Sequence, residues 1–73
     1  MGKGDTMRAK NIGENIKKYR EEKGYTRKQF AELIDKTYNT LRNYECGNTV
    51  PSPYALTVMA IVLVVSVQDI LRG

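Results

Sequence analysis

Histidine is absent from this chain of 73 residues, and cysteine occurs once, at Cys46. A single cysteine cannot form an intrachain disulfide, and such usage is typical of a reduced, intracellular compartment, so we expect a cytoplasmic protein. Structural zinc sites need several cysteine and histidine ligands, which this composition cannot supply. A Ser-His-Asp or Cys-His nucleophile is excluded for the same reason. We therefore predict no enzyme activity, no metal and no cofactor, and an inert thiol at Cys46.

Long hydrophobic runs are also missing. The most apolar segment, YALTVMAIVLVV at residues 54–65, is 12 residues long, whereas a helix needs about 20 residues to span a bilayer. Residues 1–9 are mostly polar and lack the apolar core of a signal peptide. We interpret them as a flexible leader and residues 10–73 as one domain without membrane contact.

Positive charge is concentrated in the first half of the chain. Residues 1–36 hold ten Lys and Arg against six Asp and Glu, whereas residues 37–73 hold two of each sign. A basic region can bind an anionic polymer or surface. Charge alone favours a solvated helix face over a binding surface, so a binding function has to be argued from the motifs.

Apolar residues recur with helical spacing along the chain, and no segment alternates with the period of a strand. Ile12, Ile16 and Tyr19 form the apolar stripe of a first helix, and Gly24 is suited to end it. The predicted helices are 10–23, 26–34, 37–46, 53–63 and a short one over 66–71. The expected fold class is all-α, with five helices.

The second helix has a clear start. Thr26 and Gln29 have the spacing of a capping box, and Tyr25 and Phe30 have that of a hydrophobic staple. The spacing places its apolar face at Phe30, Leu33 and Ile34. Asp35 falls in the following turn, where a left-handed residue is needed, and aspartate tolerates that conformation better than most.

The third helix has an unusually polar outer face. Residues 37–48 read TYNTLRNYECGN, and only Leu41 and Tyr44 have the spacing of a buried stripe. Short polar side chains are poor helix formers, so an external partner must favour them. In a DNA major groove, Asn reads adenine, Arg reads guanine, and Thr and Tyr donate or accept hydrogen bonds. Helices 2 and 3 therefore predict a helix-turn-helix, with Arg27 and Lys28 placed to meet phosphate.

Residues 12–71 closely resemble the Cro/phage-repressor (Xre-type) helix-turn-helix family. The markers are Ile12-Gly13-Glu14-Asn15-Ile16, Arg20, Gly24, Phe30-Ala31, Tyr44-Glu45, Gly47, Pro51, and Ser66-Val67 before Ile70-Leu71. The resemblance implies a five-helix lambda-repressor-like domain that binds double-stranded DNA, is usually dimeric and regulates transcription. We expect a repressor.

The resemblance also implies roles for individual residues. Phosphate contact is expected from Arg27, with Lys28 beside it, and from Asn48 and Thr49 after the third helix. The bases would be read by Tyr38, Asn39 and Asn43, with Thr37, Thr40 and Arg42 beside them. Arg20 and Glu45 would form a buried ion pair rather than two solvated charges. Tyr38 could alternatively be an ordinary exposed tyrosine.

The fourth helix departs from the family pattern. Leu56, Met59, Ala60 and Leu63 have the spacing of a core face, which leaves Val58, Ile61, Val62 and Val65 as additional apolar residues. We predict that these four form a homodimer interface, so that two recognition helices read a near-palindromic operator. Val64 stands where the family usually has glycine, so we expect this helix to end differently.

Other partners remain open at this stage. The additional apolar residues of the fourth helix could thicken the monomer core, meet the leader, or bind a toxin or another regulator. The chain could accordingly be the antitoxin of a toxin–antitoxin pair, or a protein-interaction module that does not bind DNA.

Overall fold

The computed structural model describes the backbone of residues 2–72 and the side chains of residues 8–72. Within that range it contains five helices and no strand, as predicted. The helices are α1 (Gly2–Glu22), α2 (Arg27–Leu33), α3 (Tyr38–Cys46), α4 (Pro53–Leu63) and α5 (Val67–Leu71). α1 packs against α3 and α5, α2 against α3, and α4 against α5.

The first helix begins earlier than the sequence predicted. α1 starts at Gly2, so the expected start at residue 10 was wrong. No proline occurs before Pro51, and the helical hydrogen bonds can therefore continue N-terminally from the buried Ala9. The flexibility of the leader, residues 1–9, stays a prediction, and Met1 lies outside the described residues.

The starts of the shorter helices follow from side-chain caps. Thr26 accepts a hydrogen bond from the Gln29 backbone while the Gln29 side chain accepts one from Thr26, which confirms the capping box. The rings of Tyr25 and Phe30 stack with centroids 6.1 Å apart, which confirms the staple. Ser66 and Asp69 form a second capping box at α5. These local bonds satisfy backbone groups that short helices otherwise leave unpaired.

The core is built from buried side chains of all five helices. Its largest fully buried side chains are those of Phe30, Ile12, Ile16, Leu41, Met59, Leu63 and Ile70. The predicted core face of α4 is confirmed, since Leu56, Met59, Ala60 and Leu63 are all buried. Leu33 was wrongly assigned to the buried face of α2 and is 51% exposed. The buried stripe there runs through Phe30, Ala31 and Ile34, and Leu33 lies to one side of it.

α1 and α3 approach closely at Gly13. A β-carbon at this position would lie 2.7 Å from the Glu45 carbonyl oxygen and 2.9 Å from the carbonyl carbon. Both atoms belong to the backbone of α3, so they cannot move aside as a side chain can. Gly13 therefore sets the distance between α1 and the C-terminal half of α3.

Two residues other than glycine adopt positive φ among the described residues. Asp35, with φ of 59°, takes the left-handed conformation that was predicted for the turn after α2. Val64, with φ of 58° and ψ of 47°, caps the end of α4 in the same conformation. The expectation that α4 would end differently was thus wrong. The chain keeps the left-handed cap that glycine favours but builds it with a β-branched residue, which is strained there.

Candidate nucleic-acid interface

The exposed face of α3 is polar along its whole length. Leu41, Tyr44 and Glu45 are buried on the inner side. Tyr38, Asn39 and Arg42 are exposed on the outer side, and Thr40 and Asn43 are partly exposed. The sequence predicted this division between the two faces. The inner side of α3 consequently packs in the interior of the domain, while its hydrogen-bonding side chains point outward.

The two threonines at the start of α3 bind each other. The Thr37 hydroxyl accepts a hydrogen bond from the Thr40 backbone nitrogen at 3.1 Å and donates to the Thr40 hydroxyl at 2.9 Å. Thr37 therefore serves first as the cap of α3. Because Thr37 directly precedes Tyr38, Thr37 also lies at the edge of the polar face.

The two predicted asparagine readers have different surroundings. The Asn43 side-chain oxygen accepts a hydrogen bond from the Asn48 amide at 3.2 Å, and the Asn43 carbonyl accepts one from the Asn48 backbone at 2.9 Å. A bidentate contact to adenine needs both groups of an amide. The bond from Asn48 uses one of the two lone pairs of the Asn43 oxygen, so the NH₂ group of Asn43 is the more available of its two groups. Asn39 makes no side-chain hydrogen bond to any described residue, so both of its groups can face a base.

Arg20 and Glu45 form a buried pair between α1 and α3. The Arg20 Nε donates to Glu45 Oε2 at 2.6 Å, and Nη2 donates to Oε1 at 3.2 Å. The Nη1 group donates to the Tyr25 carbonyl at 2.8 Å. The two side chains are 8% and 1% exposed. Charges this deeply buried are tolerated because their polar atoms are hydrogen-bonded.

A second arginine binds the same carboxylate, which the sequence did not reveal. The Arg27 Nε donates to Glu45 Oε1 at 3.1 Å, and Nη1 lies 3.4 Å from the Tyr38 hydroxyl. The centre of the Arg27 guanidinium lies 5.6 Å from the centroid of the Tyr38 ring. Partial burial acts to lower the pKa of Arg27, but the hydrogen bonds to Tyr38 and Glu45 outweigh it and raise the pKa. Arg27 accordingly keeps its charge.

The two helices of the helix-turn-helix carry exposed positive charge. Lys28 is exposed in the first turn of α2, and Arg42 is exposed on α3 itself. The cluster of Arg20, Arg27 and Glu45 carries two positive charges and one negative charge. Asn48 and Thr49, predicted to meet phosphate, are exposed after the end of α3. Exposed basic groups thus occur on both α2 and α3, and the partly exposed Arg27 contacts the polar face directly through Tyr38.

The outer face of α4 is apolar apart from the exposed Thr57. Tyr54, Val58 and Ile61 are spaced four and three residues apart, which aligns them on one side of the helix, and Val65 follows the left-handed cap at Val64. We call Tyr54, Val58, Ile61 and Val65 the α4 stripe. Tyr54 and Ile61 are 77% and 72% exposed, and Val64 at the helix end is 75% exposed.

Among the four residues predicted for the dimer interface, Ile61 alone is exposed. Val58, Val62 and Val65 pack partly against the core, because they lie where the outer face meets neighbouring helices. Tyr54 and Val64, which were not predicted for the interface, are more exposed than these three valines. The sequence signal that could have found Tyr54 is its position one helical turn before Val58.

Within the described residues, no helix combines the length and apolar character needed to cross a membrane. The same residues contain no group of side chains arranged to hold a metal ion.

Residues 16–70 match the Helix-turn-helix family. The chain belongs to this family. It is 34% identical over 62 residues to the SPbeta prophage-derived uncharacterized HTH-type transcriptional regulator YonR of Bacillus subtilis strain 168. That match covers 85% of this chain and 57% of YonR, so the helix-turn-helix chain spans little more than half the length of this relative.

Two solved structures share the fold of this helix-turn-helix chain. One is the master regulator for biofilm formation SinR in complex with DNA, which is 37% identical with a TM-score of 0.79. That match covers 84% of this chain and 98% of the SinR chain. The other is the clp gene regulator ClgR from C. glutamicum, 27% identical with a TM-score of 0.80. That match covers 86% of this chain and 82% of the ClgR chain.

Proposed function

We propose that this chain binds double-stranded DNA sequence-specifically and regulates transcription, with α3 lying in the major groove. The observation that carries the proposal is the outer face of α3, which presents polar side chains above a buried apolar stripe. A major groove is wide enough to admit a helix, and its base edges are read by such side chains. SinR, which is 37% identical to this chain, was crystallised with DNA. Repression in the cytoplasm is the form of regulation we propose.

The side chains divide into base readers and phosphate contacts. Asn39 is the strongest candidate for a bidentate contact to adenine, because both groups of its amide are available within the described structure. Asn43 would contribute its NH₂ group to a base acceptor or a phosphate. Arg42 is suited to guanine or to phosphate. Arg27, Lys28, Asn48 and Thr49 would fix the position of the helix on the phosphate backbone.

The α4 stripe supports a homodimer as the DNA-binding form. A small domain has too little core to cover a helix that is apolar on its outer face, and exposed apolar patches usually mark interfaces. The exposed residues Tyr54, Ile61 and Val64 lie on or beside this stripe. A second copy of the chain would cover the stripe with an identical one. Two recognition helices could then contact half-sites about 34 Å apart on a near-palindromic operator.

Selection of bound duplexes from random DNA provides the first test. We expect one enriched near-palindrome, and we expect its affinity to fall steeply as salt rises, because each phosphate contact releases counterions. Asn39→Ala should cost about 1–3 kcal/mol on that site and relax the preference at one base pair of each half-site. Enrichment of no sequence would contradict the proposal and favour a protein-interaction module. Copurification of a small partner protein would favour the antitoxin alternative.

Charge-matched variants distinguish DNA binding by the α3 face from attraction caused by the net positive charge of the protein. Arg42→Ala and Lys18→Ala each remove one exposed positive charge. Arg42 lies on α3, whereas Lys18 lies on α1, about 140° around the helix from the Gly13 face that meets α3. Arg42→Ala should weaken DNA binding clearly more than Lys18→Ala. Equal losses would mean that general charge, and not the α3 face, drives binding.

A further inference from the structure

The side chain of Arg27 connects the start of α2 to the start of α3. Arg27 is the first residue of α2, and Tyr38 is the first residue of α3. The Arg27 guanidinium lies 5.6 Å from the Tyr38 ring centroid, within the range of a cation–π contact, and its Nη1 lies 3.4 Å from the Tyr38 hydroxyl. The same side chain therefore contacts both the ring and the hydroxyl of one candidate base reader.

The other side of Arg27 is anchored in the core. Its Nε donates to Glu45 Oε1 at 3.1 Å, and Glu45 is held in turn by two hydrogen bonds from Arg20. Exposure rises outward along this series of contacts. The Glu45 side chain is 1% exposed, that of Arg27 is 25% exposed, and Tyr38 as a residue is 51% exposed. A surface tyrosine is thus connected to a buried carboxylate through a single arginine.

This arrangement restricts what the Tyr38 hydroxyl can do. A phenol can donate one hydrogen bond and can also accept. Here its oxygen faces an Arg27 N–H group and a nearby positive charge. A second donor is disfavoured beside that charge, whereas donation of the hydroxyl hydrogen to an outside acceptor is favoured. Guanine, adenine and thymine each present an acceptor in the major groove, and cytosine presents an amino donor.

We propose that Arg27 is a positioning residue that holds Tyr38 as a hydrogen-bond donor, so that Tyr38 selects against cytosine on the strand it faces at one base pair of each half-site. The inference rests on the proposed function, because it concerns how the same α3 surface reads DNA. It differs from a plain phosphate role for Arg27, which would change affinity for all sequences alike. A side chain fixed before binding also loses less freedom when the complex forms.

Two single variants and their combination test the proposal. Binding is measured by fluorescence anisotropy on the selected duplex and on copies with each base pair changed in turn. Tyr38→Phe keeps the ring but removes the hydroxyl, so discrimination against cytosine at one base pair should fall about two- to tenfold, the contribution of one net hydrogen bond. Arg27→Lys keeps the charge but cannot hold Glu45 and Tyr38 in the same forked geometry. It should lose discrimination at the same base pair.

The double variant distinguishes positioning from an independent contact. If Arg27 acts through Tyr38, Arg27→Lys combined with Tyr38→Phe should discriminate as Tyr38→Phe alone does, with no added loss at that base pair. Retention of full discrimination by Arg27→Lys, or additive losses, would overturn the inference. Sequence-specific binding by the wild-type protein would still support the proposed function. A wild-type protein without sequence preference would overturn both.

A folding control accompanies these measurements. Arg27→Lys loosens a contact to the buried Glu45, so its thermal unfolding is compared with that of the wild type. Tyr38→Phe changes an exposed residue and should unfold at the wild-type temperature. If Arg27→Lys fails to fold, Tyr38→Phe still tests the donor role on which the inference depends, because unchanged discrimination by that variant would overturn it.

Discussion

The Nε of Arg20 donates to the Glu45 carboxylate at 2.6 Å where α1 crosses α3, and neither side chain is more than 8% exposed. Glu45 also accepts from Arg27, so its loss leaves two arginines without their partner. Glu45→Ala should destabilise the domain by about 3–5 kcal/mol. The melting temperature should therefore fall by more than about 10 °C, or the chain should fail to fold.

The control for this variant is Glu21→Ala. Its carboxylate is 3.9 Å from Arg20 Nη2, but its side chain is 58% exposed. An exposed pair of this kind contributes at most about 1 kcal/mol. A Glu45→Ala protein that melts like Glu21→Ala would contradict the importance of the buried pair.

Gly13→Ala tests the close approach of α1 and α3. The added methyl group would stand 2.7 Å from the Glu45 carbonyl oxygen, so the two helices must separate. Alanine normally stabilises a helix relative to glycine by about 1 kcal/mol, and we expect the opposite sign here, measured by urea unfolding. At the exposed neighbour Glu14 on α1, the difference between Glu14→Gly and Glu14→Ala reports the helix propensity of alanine relative to glycine without a close contact. If Gly13→Ala were more stable than wild type, α1 and α3 would lie farther apart than the 2.7 Å approach implies.

Val64→Gly should stabilise the monomer. Left-handed backbone costs a residue other than glycine about 1–2 kcal/mol, and glycine loses part of this gain through its greater freedom in the unfolded chain. We expect a net gain of about 0.5–1 kcal/mol in urea unfolding at low protein concentration. Asp35→Gly should gain less, because aspartate tolerates this conformation better. Equal stability of Val64→Gly and wild type would mean that the valine contributes packing that offsets its strain.

Acid should weaken the cap of α5. Hydrogen bonds from the Ser66 backbone and side chain, with a smaller contribution from Arg72, lower the pKa of Asp69. A lowered folded pKa means that Asp69 contributes stability above its unfolded value of about 3.9 and loses it as the pH falls through the lowered value.

The stability difference between wild type and Asp69→Asn should consequently be largest near neutral pH and should shrink in acid. Ser66→Ala removes the hydroxyl that accepts a hydrogen bond from the Asp69 backbone nitrogen, and with it the contribution of the Ser66 side chain to the lowered pKa of Asp69, so it should reduce this pH dependence. A difference between wild type and Asp69→Asn that stays constant from neutral pH to acid would rule out the cap as its source.

Ile61→Glu tests the homodimer. A charged residue at the centre of the α4 stripe should yield a monomer in sedimentation velocity and weaken operator binding, while the helical circular dichroism stays near that of wild type. Leu33→Glu is the matched control, because Leu33 is 51% exposed but lies on α2, away from the stripe. A wild-type chain that remains monomeric at high micromolar concentration would refute the dimer.

Local features of the fold could be predicted from the sequence because they depend on neighbouring residues. The capping box of Thr26 and Gln29 and the polar outer face of α3 involve residues within a few positions of each other. Helical spacing in the same way identified the core face of α4. The N-terminal limit of α1 escaped prediction, since residues 2–9 have no periodic apolar pattern to mark it.

Apart from the Arg20–Glu45 pair, which the family resemblance implied, only the tertiary structure decided which distant side chains meet. Glu45 lies 18 positions beyond Arg27, and no local pattern indicates that this carboxylate binds a second arginine. The sequence also could not separate Ile61, which faces outward, from Val58 and Val62, which lie partly under neighbouring helices. Helical spacing fixes the direction of a side chain around its own axis, but the packing of the other helices determines whether that direction leads to the core or to the surface.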